Sequence, residues 1–213
     1  MKKTLVLITF ATLLLSGYSV AEICYPIHEV KVAREVQKIE VESLYQLFNL
    51  SISKPLEITD ESIYVDANDV TIPSNVSADK IESALVGTEL AGFGNVYIEA
   101  EKIYGINAIH LLSITIWESG WGESRLAKLK NNVSGFMAYD HDPYGSAKSY
   151  ECKSESILDT AKLLSESYVL RGRTSLKTIG DIYATDGNWA YGVDAVSKTV
   201  LGRIEKNFGN VEN

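Results

Sequence analysis

The clearest pattern of hydrophobic positions along the chain lies at residues 107–117. Its apolar members leave little polar surface: Ala108, Ile109, Leu111, Leu112, Ile114, Ile116 and Trp117. A helix of this kind is buried nearly all round. Gly120 follows closely and is a natural end point for a helix. The pattern therefore predicts a central buried helix that stops at Gly120.

Helical patterns also flank this segment on both sides. A cap at Ser77 predicts a helix after it, and a cap at Ser154 predicts another. The Ser154 cap belongs to the helix predicted at residues 155–170, and the remaining predicted helices cover residues 96–104, 124–130, 175–184 and 189–208. Residues 136–150 alternate weakly and contain the turn signal Asp142-Pro143-Tyr144-Gly145, which indicates a small β-hairpin or an ordered loop. The fold class predicted is α+β, mainly α.

Glu118 breaks the local pattern at the end of the central helix. A carboxylate in the last turn is disfavoured by the helix dipole, and Trp117 and Trp121 flank it in sequence. Residues that break local rules are mostly functional. Burial beside aromatic rings would keep the carboxyl protonated, so that it could donate a proton near neutral pH. The alternative is a helix-end carboxylate that points to solvent.

The N-terminus has the pattern of a secretory signal peptide. Lys2 and Lys3 precede an apolar stretch at residues 4–15, and Ser19-Val20-Ala21 offers small residues for cleavage after Ala21. An uncleaved anchor is the alternative, although the apolar stretch is shorter than the roughly 20 residues that span a bilayer. The prediction is an exported protein, periplasmic or extracellular.

Export changes the interpretation of the two cysteines, Cys24 and Cys152. Both would meet an oxidising compartment, where a disulfide between them is expected. Two free thiols, or an intermolecular bridge through Cys24, are the alternatives.

The composition excludes several classes of function. The net charge is −8 and becomes −10 once Lys2 and Lys3 leave with the signal peptide, so nucleic acid is not an expected partner. The three His and two Cys are too scattered for a zinc site. No nucleotide-binding loop or dinucleotide fingerprint occurs. Neither a cofactor nor a metal nor a nucleotide is expected, and the protein is expected to be a monomer.

A series of motifs resembles the peptidoglycan β-N-acetylglucosaminidases of glycoside hydrolase family 73. Residues 118–127 match the family pattern Glu-Ser-Gly-x-Gly-x-Ser-x-Leu-Ala, and residues 131–135 match Asn-Asn-x-x-Gly. Further matches occur at residues 183–186, Tyr-Ala-Thr-Asp, and 188–190, Asn-Trp-Ala. The resemblance covers roughly residues 75–208. It implies a lysozyme-like fold, with a helical lobe and a small β-hairpin lobe flanking a groove.

The resemblance also implies roles for individual residues. Glu118 would be the general acid that protonates the leaving glycosidic oxygen, and Tyr183 would stabilise charge or orient the substrate's N-acetyl group. The residues expected to bind substrate are Ser119, Trp121, Asn132, Tyr139 and Trp189. Ser119 would also shape the bend after Glu118, Asn132 would also hold a turn, and Trp189 could instead pack as core.

The second catalytic carboxylate of the family has no clear counterpart. Asp140 is the first choice because it follows a motif-like Ala-Tyr pair. A carboxylate on a mobile loop, or assistance by the substrate's own N-acetyl group, are the alternatives. The distance between the two carboxyls would separate inverting from retaining chemistry.

The resulting organisation has three parts. Residues 1–21 are the signal peptide, residues 22–74 a segment of uncertain structure, and residues 75–213 the glucosaminidase-like domain. The function implied is cleavage of the β-1,4 bond after N-acetylglucosamine in cell-wall glycan. Lytic transglycosylase cleavage of the same glycan and a non-catalytic wall-binding module are the alternatives. An envelope-assembly partner could bind residues 22–74.

Overall fold

The computed structural model describes residues 62–138 and 141–208. Eight α-helices and one 3₁₀ turn occur in these two ranges. They are α1 Ala78–Leu85, α2 Gly94–Tyr104, α3 Ala108–Ser119, α4 Arg125–Lys130, α5 Pro143–Ser146, α6 Lys153–Ser167, the 3₁₀ turn Val169–Arg171, α7 Leu176–Tyr183 and α8 Trp189–Phe208. The predicted signal peptide and Cys24 lie outside the described residues. Within those residues, none of the helices combines the length and apolar character that a membrane span needs.

Helix α3 is the centre of the fold, as its sequence predicts. Ten of its residues are buried, and it packs against α2, α6 and α8. Asn107 caps its start, because its Oδ1 accepts hydrogen bonds from the backbone N–H groups of Ile109 and His110 at 3.0 and 3.2 Å. Gly120 ends it in the left-handed region, with φ 59°. The helix therefore places Glu118, which lies in its last turn, at the edge of the core.

The other predicted helices are confirmed, with small shifts at their ends. Helix α8 begins at Trp189 as predicted and packs against α1, α3 and α7. Ser197 on α8 donates a 2.9 Å hydrogen bond to Ser113 on α3, and this bond connects the two helices in the core. Helix α6 starts at Lys153, with Cys152 rather than Ser154 at its N-cap.

Residues 63–74, which belong to the segment of uncertain structure in the sequence analysis, pack into the helical body. Val70 is fully buried in the core. Its carbonyl accepts a 2.8 Å hydrogen bond from Asn107 N–H, and the Ala67 carbonyl accepts one of 2.9 Å from Leu176 N–H. These bonds satisfy the start of two helices, which a detached linker could not do.

The predicted β-hairpin over residues 136–150 is not confirmed. No strand occurs in residues 62–138 or 141–208, and residues 143–146 form the short helix α5 instead. Asp142 caps this helix by accepting a 2.8 Å hydrogen bond from Gly145 N–H, and Pro143 opens it. Proline at the first helical position after an Asp cap favours a helical turn over strand pairing. The described residues therefore form a mainly helical body, and no β lobe occurs among them.

Candidate active site

Glu118 lies at one side of a cavity of about 500 Å³. The cavity is lined mostly by aromatic and small residues: Trp117, Glu118, Ser134, Gly135, Phe136, Ala138, Leu163, Tyr168, Tyr183, Ala184, Thr185, Asp186 and Trp189. These residues come from the end of α3, the loop after α4, the end of α6, the end of α7 and the start of α8. The fold thus gathers five separate segments around one carboxyl group.

The carboxyl of Glu118 is held by Trp189. The indole Nε1–H of Trp189 donates a 2.7 Å hydrogen bond to Glu118 Oε1. Trp189 itself is buried, because its ring packs on Gly180 of α7, where an added Cβ would lie 2.8 Å from Cε3. Burial raises the pKa of the Glu118 carboxyl, and the hydrogen bond from Trp189 acts in the opposite direction. The net effect is a carboxyl that keeps its proton to higher pH than an exposed one.

Tyr183 is the second polar side chain of this aromatic wall. Its ring centroid lies 5.0 Å from that of Trp189 and 5.9 Å from that of Tyr168, both tilted contacts. Burial, followed by the nearby charge of Glu118, raises the pKa of the Tyr183 hydroxyl. The hydroxyl is therefore protonated throughout the working pH range and can act as a hydrogen-bond donor.

The bend after Glu118 is fixed by Ser119. Its hydroxyl donates to the Thr115 carbonyl at 2.5 Å and accepts from Gly122 N–H at 2.9 Å. Three successive residues then adopt left-handed backbone, Gly120, Trp121 and Gly122, at φ 59°, 63° and 84°. Ser119 is buried. It therefore orients the chain behind Glu118 rather than contacting the cavity.

Asn132 fixes the turn that forms another wall of the cavity. Its Nδ2 donates to the carbonyls of Phe136 and Lys148 at 3.0 and 2.9 Å, and its Oδ1 accepts from Phe136 N–H at 3.0 Å. All three bonds go to backbone, and the side chain is 1% exposed. Asn132 thus holds the turn whose residues Ser134, Gly135 and Phe136 line the cavity.

The structure brings together three of the predicted site residues: Glu118, Tyr183 and Trp189. Ser119 and Asn132 lie behind the walls. Trp121 does not line the cavity, and the guanidinium of Arg203 covers its ring at 4.6 Å. Tyr139 and Asp140 lie outside the described residues.

Sequence reasoning missed several residues that line the cavity. Trp117 and Asp186 each carried a signal, Trp117 as the neighbour of Glu118 and Asp186 as the end of the Tyr-Ala-Thr-Asp motif. Tyr168 and Phe136 carried none. In the part of the chain that the structure describes, no three His, Cys, Asp or Glu side chains converge as a metal site would require.

A carboxyl with a raised pKa in an aromatic cavity of a helical protein is the arrangement that general acids of glycoside hydrolases use. Sequence comparison agrees with that class. The chain belongs to the mannosyl-glycoprotein endo-β-N-acetylglucosaminidase family, whose model matches residues 94–201. The matched region includes Glu118, Tyr183 and Trp189.

Two curated relatives are from Streptococcus pneumoniae and Staphylococcus aureus. A putative endo-β-N-acetylglucosaminidase of Streptococcus pneumoniae is 33% identical over 82% of this chain and 28% of its own length. The bifunctional autolysin of Staphylococcus aureus is 32% identical over 63% of this chain and 13% of its own length. The chain thus spans about a quarter or less of these relatives.

A solved structure shows a similar fold. It is a catalytic mutant of S. aureus autolysin E in complex with the disaccharide NAG-NAM, and it is 25% identical to this chain. The superposition has a TM-score of 0.54 and covers 70% of this chain and 76% of the autolysin chain.

Proposed function

We propose that this protein is an exported peptidoglycan hydrolase that cleaves the β-1,4 bond after N-acetylglucosamine, with Glu118 as the general acid. The observation that carries the proposal is the half-buried Glu118 carboxyl, which faces a cavity with aromatic walls and has a raised pKa. Family membership and the glycan disaccharide bound to the related autolysin E support a wall glycan as substrate.

The hydrogen bond from Trp189 favours one oxygen of Glu118 as the carrier of the acidic proton. An indole N–H only donates, so Glu118 Oε1 accepts. The carbonyl oxygen of a protonated carboxyl is the stronger acceptor, so the proposal places the proton on Oε2. Oε2 then protonates the glycosidic oxygen as the bond breaks, and the carboxylate left behind keeps its bond to Trp189.

The Tyr183 hydroxyl and a second carboxylate complete the proposed machinery. Tyr183 donates a hydrogen bond to the substrate, where charge develops or where the N-acetyl group must be oriented. We retain Asp140 as the proposed base or nucleophile. Asp186 is the other carboxylate among the described residues that lines the cavity. The anomeric form of the product of the unmodified protein separates inversion from retention. Loss of activity in Asp140→Asn or Asp186→Asn identifies the carboxylate that takes part, whereas retention together with full activity of both variants would indicate assistance by the N-acetyl group.

Digestion of purified peptidoglycan, followed by mass spectrometry of the muropeptides, tests the function. The proposal expects products with a water-added N-acetylglucosamine reducing end. We expect Glu118→Gln to lower the rate by at least about 100-fold, since general acid catalysis contributes about that much. Glu123→Gln is the matched control, because Glu123 is exposed and pairs with Lys128 on the surface.

Other products would contradict the proposal. Anhydro sugar ends would identify a lytic transglycosylase instead, and N-acetylmuramic acid at the reducing end would place the cut at the other bond. Unchanged lysis by Glu118→Gln would exclude Glu118 as the acid.

The N-terminal region is part of the same proposal. Cleavage after Ala21 would leave Glu22 at the mature N-terminus, and a disulfide would join Cys24 to Cys152, which is buried at the start of α6. The part of residues 22–74 upstream of the packed segment 63–74 would be available to an envelope partner. N-terminal sequencing and the mass of the exported protein before and after reduction test these statements.

A further inference from the structure

Trp117 is the large exposed side chain of an otherwise buried helix. Ten residues of α3 are buried, yet Trp117, next to Glu118, is 42% exposed. Trp is normally well covered in folded proteins, so an exposed indole that lines a cavity is a candidate contact for a ligand.

The ring of Trp117 packs directly against a glycine of the neighbouring helix. A Cβ added at Gly192 would lie 2.3 Å from Cη2, 2.5 Å from Cζ3 and 2.6 Å from Cζ2 of Trp117. Gly192 lies inside α8 and has no left-handed backbone to explain it. Glycine destabilises a helix interior relative to alanine. Glycine at position 192 therefore lowers the stability of α8 but leaves the space in which the indole packs.

The other two tryptophans are not available for this role. Trp189 is buried and its N–H is bound to Glu118. Trp121 lies under the Arg203 guanidinium and does not line the cavity. The chain has three Trp, and all of them lie in the described residues. Trp117 is the one whose ring is both fixed in place and open to the cavity.

We infer that Trp117, seated on Gly192, is a stacking platform for an N-acetylhexosamine ring of the glycan, beside the bond that Glu118 protonates. The inference rests on the proposed function, because it specifies how that site binds its substrate. The C–H face of a pyranose ring is apolar and matches an indole in size, whereas its hydroxyls remain in water. A rigid aromatic platform binds such a ring with little loss of side-chain entropy. Trp117 thus contributes mainly to affinity.

Binding without turnover tests this inference. The full chain carrying Glu118→Gln serves as the parent, and a hexamer of β-1,4-linked N-acetylglucosamine is the probe, titrated by calorimetry. We expect Trp117→Ala to weaken binding about 10-fold, the size of a good aromatic contact. Trp117→Phe keeps a smaller aromatic ring, so its affinity for the hexamer should lie between those of the parent and Trp117→Ala. It replaces Trp117→Ala if that variant does not fold.

Gly192→Ala provides a sharper test, because it changes the identity of no cavity residue but displaces the Trp117 ring. It should weaken binding comparably, and should have no further effect when combined with Trp117→Ala. Tyr191→Ala is the matched control, since Tyr191 precedes Gly192, is exposed and does not line the cavity.

The outcomes separate this inference from the proposed function. Equal affinity of the parent and Trp117→Ala would overturn the stacking role while leaving the hydrolase intact. Independent effects of Gly192→Ala and Trp117→Ala would overturn the role of Gly192. A parent that does not bind the hexamer at all would contradict the proposed function and this inference with it.

Discussion

The indole N–H of Trp189 lies 2.7 Å from Oε1 of Glu118, and this bond links the start of α8 to the end of α3. The two residues are 71 positions apart in sequence. The contact joins the proposed acid to the aromatic wall beside it. It also opposes the effect of burial on the pKa of Glu118, because a donor to the carboxylate favours the charged form.

Removing this donor should shift the pH dependence of the reaction. Trp189→Phe keeps an aromatic ring, smaller than the indole, but loses the N–H, so the pKa of Glu118 should rise further. The acid works in its protonated form, and the descending limb of the kcat/KM profile at high pH should therefore move to higher pH. We expect kcat to fall by about 10-fold, because one hydrogen bond to a charged group is lost.

The matched control for this prediction is Trp121→Phe, whose indole lies under Arg203 and outside the cavity. A pH profile of Trp189→Phe that superimposes on that of the unmodified protein would show that the indole does not act on the acid.

Tyr183→Phe tests the hydroxyl in the cavity. Because the raised pKa keeps Tyr183 protonated, the hydroxyl should donate to the substrate at every working pH. Loss of one such donor should lower kcat by about 10- to 100-fold, with the unfolding midpoint little changed. Tyr191→Phe, at an exposed position of α8, is the control. Full activity in Tyr183→Phe would limit the residue to packing against Trp189.

Asn132→Ala should destabilise the protein by about 2–3 kcal/mol, because the partly buried Phe136 N–H and Lys148 carbonyl lose the bonds to Asn132 and the Phe136 carbonyl keeps only the bond from Lys148 N–H. The turn that forms one wall of the cavity would loosen as well, so KM for glycan should rise. Chemical denaturation measures the first effect and steady-state kinetics the second. Thr199→Ala, at an exposed position of α8 where the hydroxyl donates to the Ala195 carbonyl of the same helix, should change neither. Unaltered stability in Asn132→Ala would show that the hydrogen bonds of Asn132 do not stabilise this turn.

His110 should make stability depend on pH. It is fully buried, its Nε2 donates to the Asp66 carbonyl at 3.0 Å, and its Nδ1 has no hydrogen-bond partner among the residues that the structure describes. Burial lowers the pKa of His110 below its ordinary value of 6.5, although the nearby carboxylates Asp66 and Asp194 act in the opposite sense.

A lowered pKa in the folded state means that folding favours the neutral imidazole. The stability that His110 contributes is therefore present above pH 6.5 and is lost as the pH falls below it, where the unfolded chain takes up the proton. The free energy of unfolding, measured between pH 7.5 and 5, should decline more steeply for the unmodified protein than for His110→Gln. Parallel curves would show that another group controls the acid response.

The sequence alone predicted most of the helices, because their apolar spacing and caps act locally. Helix α3 between Asn107 and Gly120 and helix α8 from Trp189 lie where the pattern placed them. For residues 136–150 the sequence left a β-hairpin or an ordered loop open, and the hairpin is not confirmed in the described residues. The Asp142 cap and Pro143 favour a helical turn, and the backbone of Lys148 and Phe136 bonds to Asn132.

The candidate site was predicted in part for a similar reason. Glu118 stood out because a carboxylate at the end of an apolar helix conflicts with its surroundings. Ser119, Asn132 and Trp121 share its motifs, but only the three-dimensional structure shows that two of them hold backbone and the third is covered by Arg203.

What the sequence by itself determined is most of the helices, Glu118 as the candidate acid and the family resemblance, since these depend on local patterns and motif spacing. The tertiary structure alone decided which side chains meet across the cavity. Trp189 meets Glu118, and Gly192 makes room for Trp117, because helices distant in sequence pack with their faces at fixed angles. No spacing within a single helix encodes those contacts.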